Sequence, residues 1–275
     1  MISKDVLITG GDGALGSYCD FGTRLTRSDL DITDVSAVMR VCADKKPKVI
    51  VHCAALTDLS YCEKNPDKAY LINAAGAYHI ALGARNVGAK LVYISTSDVF
   101  KGDKRESYEV TDIPNPTTVY GRSKHLGELA VQGLLDDYII MRISWMFGGG
   151  PSRDNKFVGN LLRKGDVSEI RAVTDKKASP SWGKDIAGAI QKLIEKNSRG
   201  IYHVGGGVTT RYEMAQEIIS ITGWKTRIIP AISSEFPSSY TIGENESMSL
   251  SPLVRPWRDA LRDYIETEWK IQQLR

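Results

Sequence analysis

Short apolar runs alternate with stretches whose apolar residues recur at helical spacing, and this rhythm organises the first half of the chain. "DVLITG" (5–10) reads as a buried strand ending in glycine, and "TRLT" (23–26) as a weaker one. "DVSAVMRVCADKK" (34–46) has helical spacing with Asp34 as its cap. "KVIVHCAA" (48–55) is a strand, apolar except for His52. "PDKAYLINAAGAYHIALGARNVG" (66–88) predicts a long helix with Pro66 at its start and Gly88 at its end. "KLVYIST" (90–96) is a strand, "TTVYGRSKHLGELAVQGLL" (117–135) a helix, and "DYIIMRISW" (137–145) a further strand. Apolar strands alternating with helices predict an α/β fold, a Rossmann-type doubly wound parallel sheet covered on both faces.

Beyond residue 147 the rhythm breaks. "GGGPSRDN" and "DKKASPSWG" are loop-like, "SWGKDIAGAIQKLIEK" and "TTRYEMAQEIISITG" are helical, and 230–256 is rich in Ser, Pro and Gly. The reading is a dinucleotide-binding domain at 1–147. A small interrupted C-terminal substrate lobe follows at 148–275, interleaved with elements that complete the sheet. No internal repeat is evident.

Parallel sheets bind ligands beyond the carboxyl ends of their strands. Gly10, Ala54, Thr96 and Trp145 all fall at such ends. "ITGGDGALG" places Gly10, Gly13 and Gly16 three apart directly after the first strand, a turn that lets a backbone approach a pyrophosphate and aims a helix N-terminus at it. Too few residues separate Gly16 from the strand at Thr23 for an ordinary first helix; one or two turns fit. Asp29 and Asp31 are in range for an adenosine ribose, whereas Arg27 suits a 2′-phosphate, which favours NADP slightly over NAD. Farther on, a strand ends in Ser95-Thr96-Ser97, and Tyr120 precedes Lys124 by four residues, one helical turn. A hydroxyl, a phenol and an ammonium form a proton-transfer set, with the lysine charge expected to lower the tyrosine pKa from about 10.

Composition narrows the classes. The 275 residues are 42% hydrophobic and 25% charged, with a net charge of +3, an ordinary globular composition. No dense basic cluster with interleaved aromatics argues for nucleic acid. Cys19, Cys42, Cys53 and Cys62 form no Cys-x-x-Cys pair, so the expectation is reduced cytoplasmic thiols with no zinc and no disulfide framework. Neither a signal peptide nor a membrane-spanning apolar run is read. His52, Trp182 and Trp224 read as packing residues, His125 as exposed or packed, and Cys53 as a small residue near the cofactor rather than a nucleophile.

The stretches "TGGDGALG", "LDITD", "VIVHCAALTDLSYCEKNPDKAYLIN", "STSDVFKG", "YEVTDIPNPTTVYGRSKHLGE", "RISWMFG", "NKFVGNLL", "GIYHVGGG" and "RDALRDYI" follow one another in the order of a known family. The chain resembles the extended short-chain dehydrogenase/reductases, and within them the dTDP-4-dehydrorhamnose reductases. The resemblance implies NAD(P)H-dependent reduction of the keto group of a nucleotide-linked 4-keto-6-deoxysugar, with Thr96, Tyr120 and Lys124 catalytic. It places Gly10, Asp12, Gly13, Ala14, Leu15 and Gly16 around the pyrophosphate, Asp31 and Ile32 beside the adenine, and Cys53, Ala54, Ala55, Ser95 and Ile143 along the cofactor. Lys124 also holds the nicotinamide ribose. Thr57, Ser97, Asp98, Val99, Phe100, Trp145 and Asn155 fall toward the substrate. A homodimer is a further implication.

Departures stand beside it. Ser97, Asp98 and Lys101 replace the family's Asp, Tyr and Asp, and Gly243-Glu244 stands where the family carries Arg-Pro, although Arg255 is near. The alternatives are a sugar-nucleotide epimerase or dehydratase of the same superfamily, or a non-catalytic NADP-binding subunit like the regulatory subunit of methionine adenosyltransferase, which this chain also resembles.

Overall fold

A computed structural model describes residues 3–241 and 243–271. The first half runs β1 (Ser3–Thr9), β2 (Gly22–Leu25), α1 (Val35–Lys45), β3 (Val49–His52), α2 (Leu59–Lys64), α3 (Pro66–Ala69), α4 (Gly76–Val87), β4 (Lys90–Thr96), α5 (Val119–Leu134) and β5 (Tyr138–Phe147). The second half runs α6 (Gly150–Arg153), α7 (Phe157–Lys164), β6 (Glu169–Val173), β7 (Lys177–Ala178), β8 (Pro180–Trp182), α8 (Gly183–Glu195), β9 (Gly200–Val204), β10 (Thr209–Thr210), α9 (Arg211–Thr222), β11 (Arg227–Ala231) and α10 (Trp257–Tyr264).

The main sheet is parallel, in the order β2-β1-β3-β4-β5-β8, with β9 also on β5. From β1 the chain steps to β2 on one side and then to β3 on the other. The crevice between the ends of β1 and β3 is therefore the topological switch point. Alternate strand residues bury opposite faces. Leu7, Ile50, Leu91 and Tyr93 pack under α1, α4 and α5. Ile8, Val51, Val92 and Met141 pack under α8, with Leu15 and Cys19 plugging the same face. Phe147 and Trp182 carry the second face onward into the C-terminal lobe, where they meet Val158, Ile218, Leu261 and Tyr264.

Helix ends follow the sequence closely. The Asp34 carboxylate accepts from Ser36 N and Ala37 N, and Gly88 closes α4 in the left-handed region at φ 68°. The expected 66–88 helix is interrupted in its middle: α3 and α4 are joined by a π turn at Tyr70–Ala75, which carries the buried Asn73. α2 and β9 are elements the periodicity did not give.

The space for a first helix is filled by one 3-10 turn, Gly16–Tyr18. Most of a helix macrodipole is therefore missing, which corrects the expectation of a helix N-terminus aimed at a pyrophosphate. The turn is fixed from the far end of the chain instead. The Tyr18 hydroxyl donates to Glu268 (2.7 Å) and accepts from Gly149 N (2.5 Å) and Trp182 Nε1 (3.2 Å).

On the edge away from β4, β5 serves two partners. Ile139–Ile143 pair with β9, whereas Ser144 and Phe147 pair with Pro180 and Trp182 of β8. Three steps on β5 match two on β8, a bulge, and Trp145 inside it sits at φ 35°. Bulges re-aim side chains, and a positive φ outside glycine persists only where its surroundings hold it.

Candidate active site

Gly10 closes β1 at φ 66°, and a Cβ there would lie 2.7 Å from Ala54 N, so the ends of β1 and β3 touch backbone to backbone. Gly16 is equally tight, its Cβ falling 2.1 Å from Gly10 O. Gly13 differs. Its N–H closes the turn onto Gly10 O (3.0 Å), and a Cβ would meet only that oxygen, at 3.2 Å. The turn thus leaves room on its outer side, as a diphosphate backbone requires. Asp12 and Ala14 are exposed or half-exposed on it, and the Asp12 carbonyl accepts from Arg153 Nε across the cleft (3.2 Å). The Leu15 side chain is committed to the core.

At the end of β2, Asp29 and Asp31 are engaged locally. Asp29 accepts from Thr26 N (2.8 Å) and Asp31 from Thr33 N (2.9 Å). Arg27 is exposed and forms no ion pair among the described residues. The Ile32 side chain is buried against Gly76 rather than open to the cleft.

Beyond β4 and on the first turns of α5 lie Thr96, Tyr120 and Lys124, all buried, with the Thr96 hydroxyl facing the Tyr120 phenol and Lys124 one helical turn on. Thr118 caps α5, its hydroxyl accepting from Gly121 N (2.9 Å). Gly121 lies where a Cβ would strike Asp98 O at 2.2 Å, so the helix start sits directly on the 97–99 turn. The Lys124 ammonium stands 4.1 Å above the Tyr93 ring, and the Tyr93 hydroxyl donates to Lys124 O (3.1 Å). Asn73 ties the pieces: it donates to Ser123 Oγ (3.0 Å) and Leu56 O (2.9 Å), and accepts from Leu56 N (2.8 Å). A lone Asn on the apolar face of "AYLINAAGA" was the available signal for it.

The electrostatics correct one expectation. The Tyr120 phenol is pushed above its ordinary value, by burial first and by the Asp98 carboxylate second, while the facing Thr96 hydroxyl works against this. Burial also brings the Lys124 ammonium down to about 7. The lysine does not depress the phenol, because desolvation weakens the lysine's own charge. A phenol that keeps its proton is suited to act as an acid.

The substrate side opens outward from this group. Thr96 Oγ1 donates to Asp98 Oδ2 (2.7 Å), and burial raises the Asp98 carboxyl. Trp145 Nε1 donates to Glu246 Oε2 (3.1 Å), and the Arg211 guanidinium lies 3.7 Å from the Trp145 ring centre. Lys156 Nζ reaches Thr57 O (3.3 Å), which brings the loop carrying Asn155 over the exposed end of β3. Cys53, Ala54, Ala55 and Ile143 are half-buried along the cleft, and Ser95 is buried beneath it. Farther out is a cavity of about 540 Å³ lined by Lys101, Asp103, Thr117 and Ser238–Thr241 among others.

Two expected substrate contacts are core residues. Val99 and Phe100 are buried because the 3-10 turn at Ser97–Val99 turns them inward, where Phe100 stacks on Tyr108 at 4.2 Å. Ser97 is buried too, its hydroxyl without a partner among the described residues. Gly243 abuts Gly102, with a Cβ falling 2.2 Å from its backbone, so no arginine fits at 243. Arg255 is engaged with Asp185 (3.1 Å) and Asp263, away from the cleft. His52 is a packed strand residue: Thr9 Oγ1 lies 2.7 Å from its Nδ1, and burial lowers it to about 3. Sequence reading missed Asn73, Arg211 and Glu246.

A glycine turn at the switch point of a parallel sheet, with a threonine, a tyrosine and a lysine gathered beyond the next strands, defines the class of Rossmann-fold short-chain dehydrogenase/reductases. Within that class the chain belongs to the family described as RmlD substrate binding domain, which matches residues 4–269. It is 36% identical to the spore coat polysaccharide biosynthesis protein SpsK of Bacillus subtilis, over 95% of this chain and 96% of that protein. It is 34% identical to dTDP-4-dehydrorhamnose reductase of Mycobacterium tuberculosis, over 94% and 91% of the two chains. The crystal structure of dTDP-4-dehydrorhamnose reductase from Bacillus anthracis in complex with NADP superimposes with a TM-score of 0.90 at 35% identity, covering 95% of this chain and 99% of that one.

Proposed function

We propose that the chain is an NADPH-dependent reductase of the 4-keto group of a nucleotide-linked 6-deoxysugar, of the dTDP-4-dehydrorhamnose reductase kind. The observation that carries it is the buried convergence of Thr96, Tyr120 and Lys124 beside the glycine turn. The residues present fit a dinucleotide: Gly13 leaves open the face a side chain would fill, and Lys124 is a buried amine that forms no close ion pair among the described residues. A bound nicotinamide supplies the reducing equivalent. Lys124 orients the ribose, Thr96 positions the carbonyl oxygen, and Tyr120 gives its proton to the oxygen as the alcohol forms. The burial of Tyr120 keeps that proton in place until it is needed.

The test is turnover. NADPH or NADH is mixed with a panel of 4-keto-6-deoxy nucleotide sugars, and absorbance of the reduced nicotinamide is followed. Loss of absorbance with one member is the expected result. Binding of NADPH without turnover on any member points to the regulatory reading, and isomerised sugar without net oxidation of NADPH points to the epimerase.

Arg27 favours NADP in this reading, because its guanidinium is exposed and in no close ion pair among the described residues, while Asp29 and Asp31 are held by their own turns. Arg27→Ala is expected to weaken NADPH at least about tenfold relative to NADH, the scale of one lost charge-assisted contact. An unchanged ratio of the two dissociation constants would remove Arg27 from the cofactor site.

The exposed Leu71, Tyr78, Leu126 and Leu129 sit on the π turn, α4 and α5, which pack together on one side of the sheet. Apolar side chains gathered in this way mark an association surface, and a homodimer through it accounts for their exposure. Sedimentation equilibrium should give a dimer, and L126R/L129R a monomer; a monomeric wild type at micromolar concentration would sink the idea. The four free thiols suit a cytoplasmic setting, and no helix among the described residues is long and apolar enough to cross a membrane.

A further inference from the structure

Glu246 lies on a segment that is held along its whole length. Asn245 N–H donates to Gly102 O (3.0 Å), Glu246 N–H to Lys177 O (2.8 Å), and Met248 N–H to Ser179 Oγ (3.0 Å). Tyr108 N–H donates to Ser247 O (2.8 Å). The Asn245 side-chain amide lies 3.0 Å from each of the carbonyls of Lys104, Arg105 and Glu106. A side chain carried on such a backbone is presented in one place.

That place is near the Tyr120 phenol, on which the Glu246 carboxyl acts. Glu246 is 5% exposed. One carboxyl oxygen, Oε2, accepts from Trp145 Nε1 (3.1 Å). The other, Oε1, is buried and has no partner among the described residues. A buried acceptor without a partner is costly and calls for an explanation. Support of the Trp145 indole uses one oxygen and leaves the second unexplained. Asp98, Arg211 and Lys176 are the charged groups that act on Glu246, and Asp98, on the turn after β4, and Tyr120, on α5, are near it. Burial and Asp98 push its carboxyl up to about 8, so near neutral pH it both donates and accepts hydrogen bonds. Beside a phenol, a buried carboxyl with one oxygen unpaired suits an uncharged hydroxyl partner.

We propose that Glu246 is a specificity-determining residue whose free carboxyl oxygen hydrogen-bonds a ring hydroxyl of the sugar lying between it and Tyr120. The inference rests on the keto-sugar reductase reading and adds which part of the substrate is read and by what. A site built to pair a hydroxyl rejects the analogue that lacks it, because its own polar group is then left unpaired.

The experiment compares wild type, E246Q and E246A on a turned-over 4-keto-6-deoxy nucleotide sugar and on its 2-deoxy and 3-deoxy analogues, with NADPH. In the wild type at least one deoxy analogue should lose about tenfold or more in kcat/KM, and in E246A that penalty should shrink to about twofold or less. E246A should raise KM for the parent sugar about tenfold with kcat changed less than about threefold, and E246Q, whose amide also donates and accepts, should restore most of the affinity. A deoxy penalty that is the same in wild type and E246A would overturn the proposal, as would an E246A defect confined to kcat. Should E246A not fold, E246M takes its place. If wild type turns over no sugar, the reductase reading fails by itself. Calorimetric binding of the parent and deoxy nucleotide sugars to wild type and E246Q or E246A then decides Glu246 separately, by the same difference in penalties.

Discussion

Replacing Tyr120 by Phe should lower turnover at least about a hundredfold, the lower range for a lost general acid. The substitution removes one oxygen and keeps the ring, which packs against Cys62 and Ala69. Stability should fall by no more than about 1 kcal/mol, the net worth of an ordinary hydrogen bond. Burial and Asp98 hold the phenol protonated through the neutral range, so the wild-type rate of reduction should not depend on prior ionisation of Tyr120. Steady-state kinetics and a thermal melt on the same preparation separate the two effects. A Phe variant with full activity would make the 118–128 stretch a packed helix start and nothing more.

Much of this was legible because buried parallel strands are continuous apolar runs. β1, β3, β4 and the first part of β5 stand out in the sequence for that reason. β9, "GIYHV", does not, because Tyr202 and His203 break the run and its place is decided by pairing with β5. The short connection between Gly16 and Thr23 predicted a stunted first helix, and one 3-10 turn is what forms. What holds that turn was not legible, since Tyr18 and Glu268 meet across almost the whole chain.

The same distinction divides the site. Thr96, Tyr120 and Lys124 could be proposed as a set because strand end and helical spacing are local patterns. Trp145 and Glu246 are 101 residues apart, and no local pattern joins them. Val99 and Phe100, placed toward the substrate by the resemblance, are core side chains, because the turn at Ser97–Val99 rotates them inward, which a motif does not show. The Tyr120–Lys124 pair was misjudged electrostatically because burial, the largest influence on both groups, is a tertiary quantity.

The largest expected loss of stability lies beneath the site. Glu128 is one turn beyond Lys124 on α5 and is 1% exposed as a side chain, and Arg142 of β5 is 2% exposed. They meet through two parallel bonds, Nε to Oε1 at 2.9 Å and Nη2 to Oε2 at 2.8 Å. The pair fastens the helix that carries Tyr120 and Lys124 to the sheet. Glu128→Ala leaves a buried guanidinium without its anion, which should cost about 3–5 kcal/mol in urea unfolding at neutral pH. E128L/R142M removes both charges and should recover most of that loss, because the desolvation penalty goes with them. The acid limb gives an independent check. Burial alone would raise the Glu128 carboxyl, but the Arg142 bonds outweigh it and hold the group at about 2, below the ordinary value of about 4.3 for glutamate. Because the folded value is the lower one, the stabilisation is complete above the unfolded pKa and is lost as pH falls from about 4.3 toward 2. His203, at about 4, is itself set in part by Arg142 and Glu128, so wild type and E128L/R142M are compared in a shared His203→Gln background. The stability difference between them should decline steadily as pH falls below about 4.3. Parallel acid limbs in the two proteins would mean that the buried pair does not hold α5 in place by its charge.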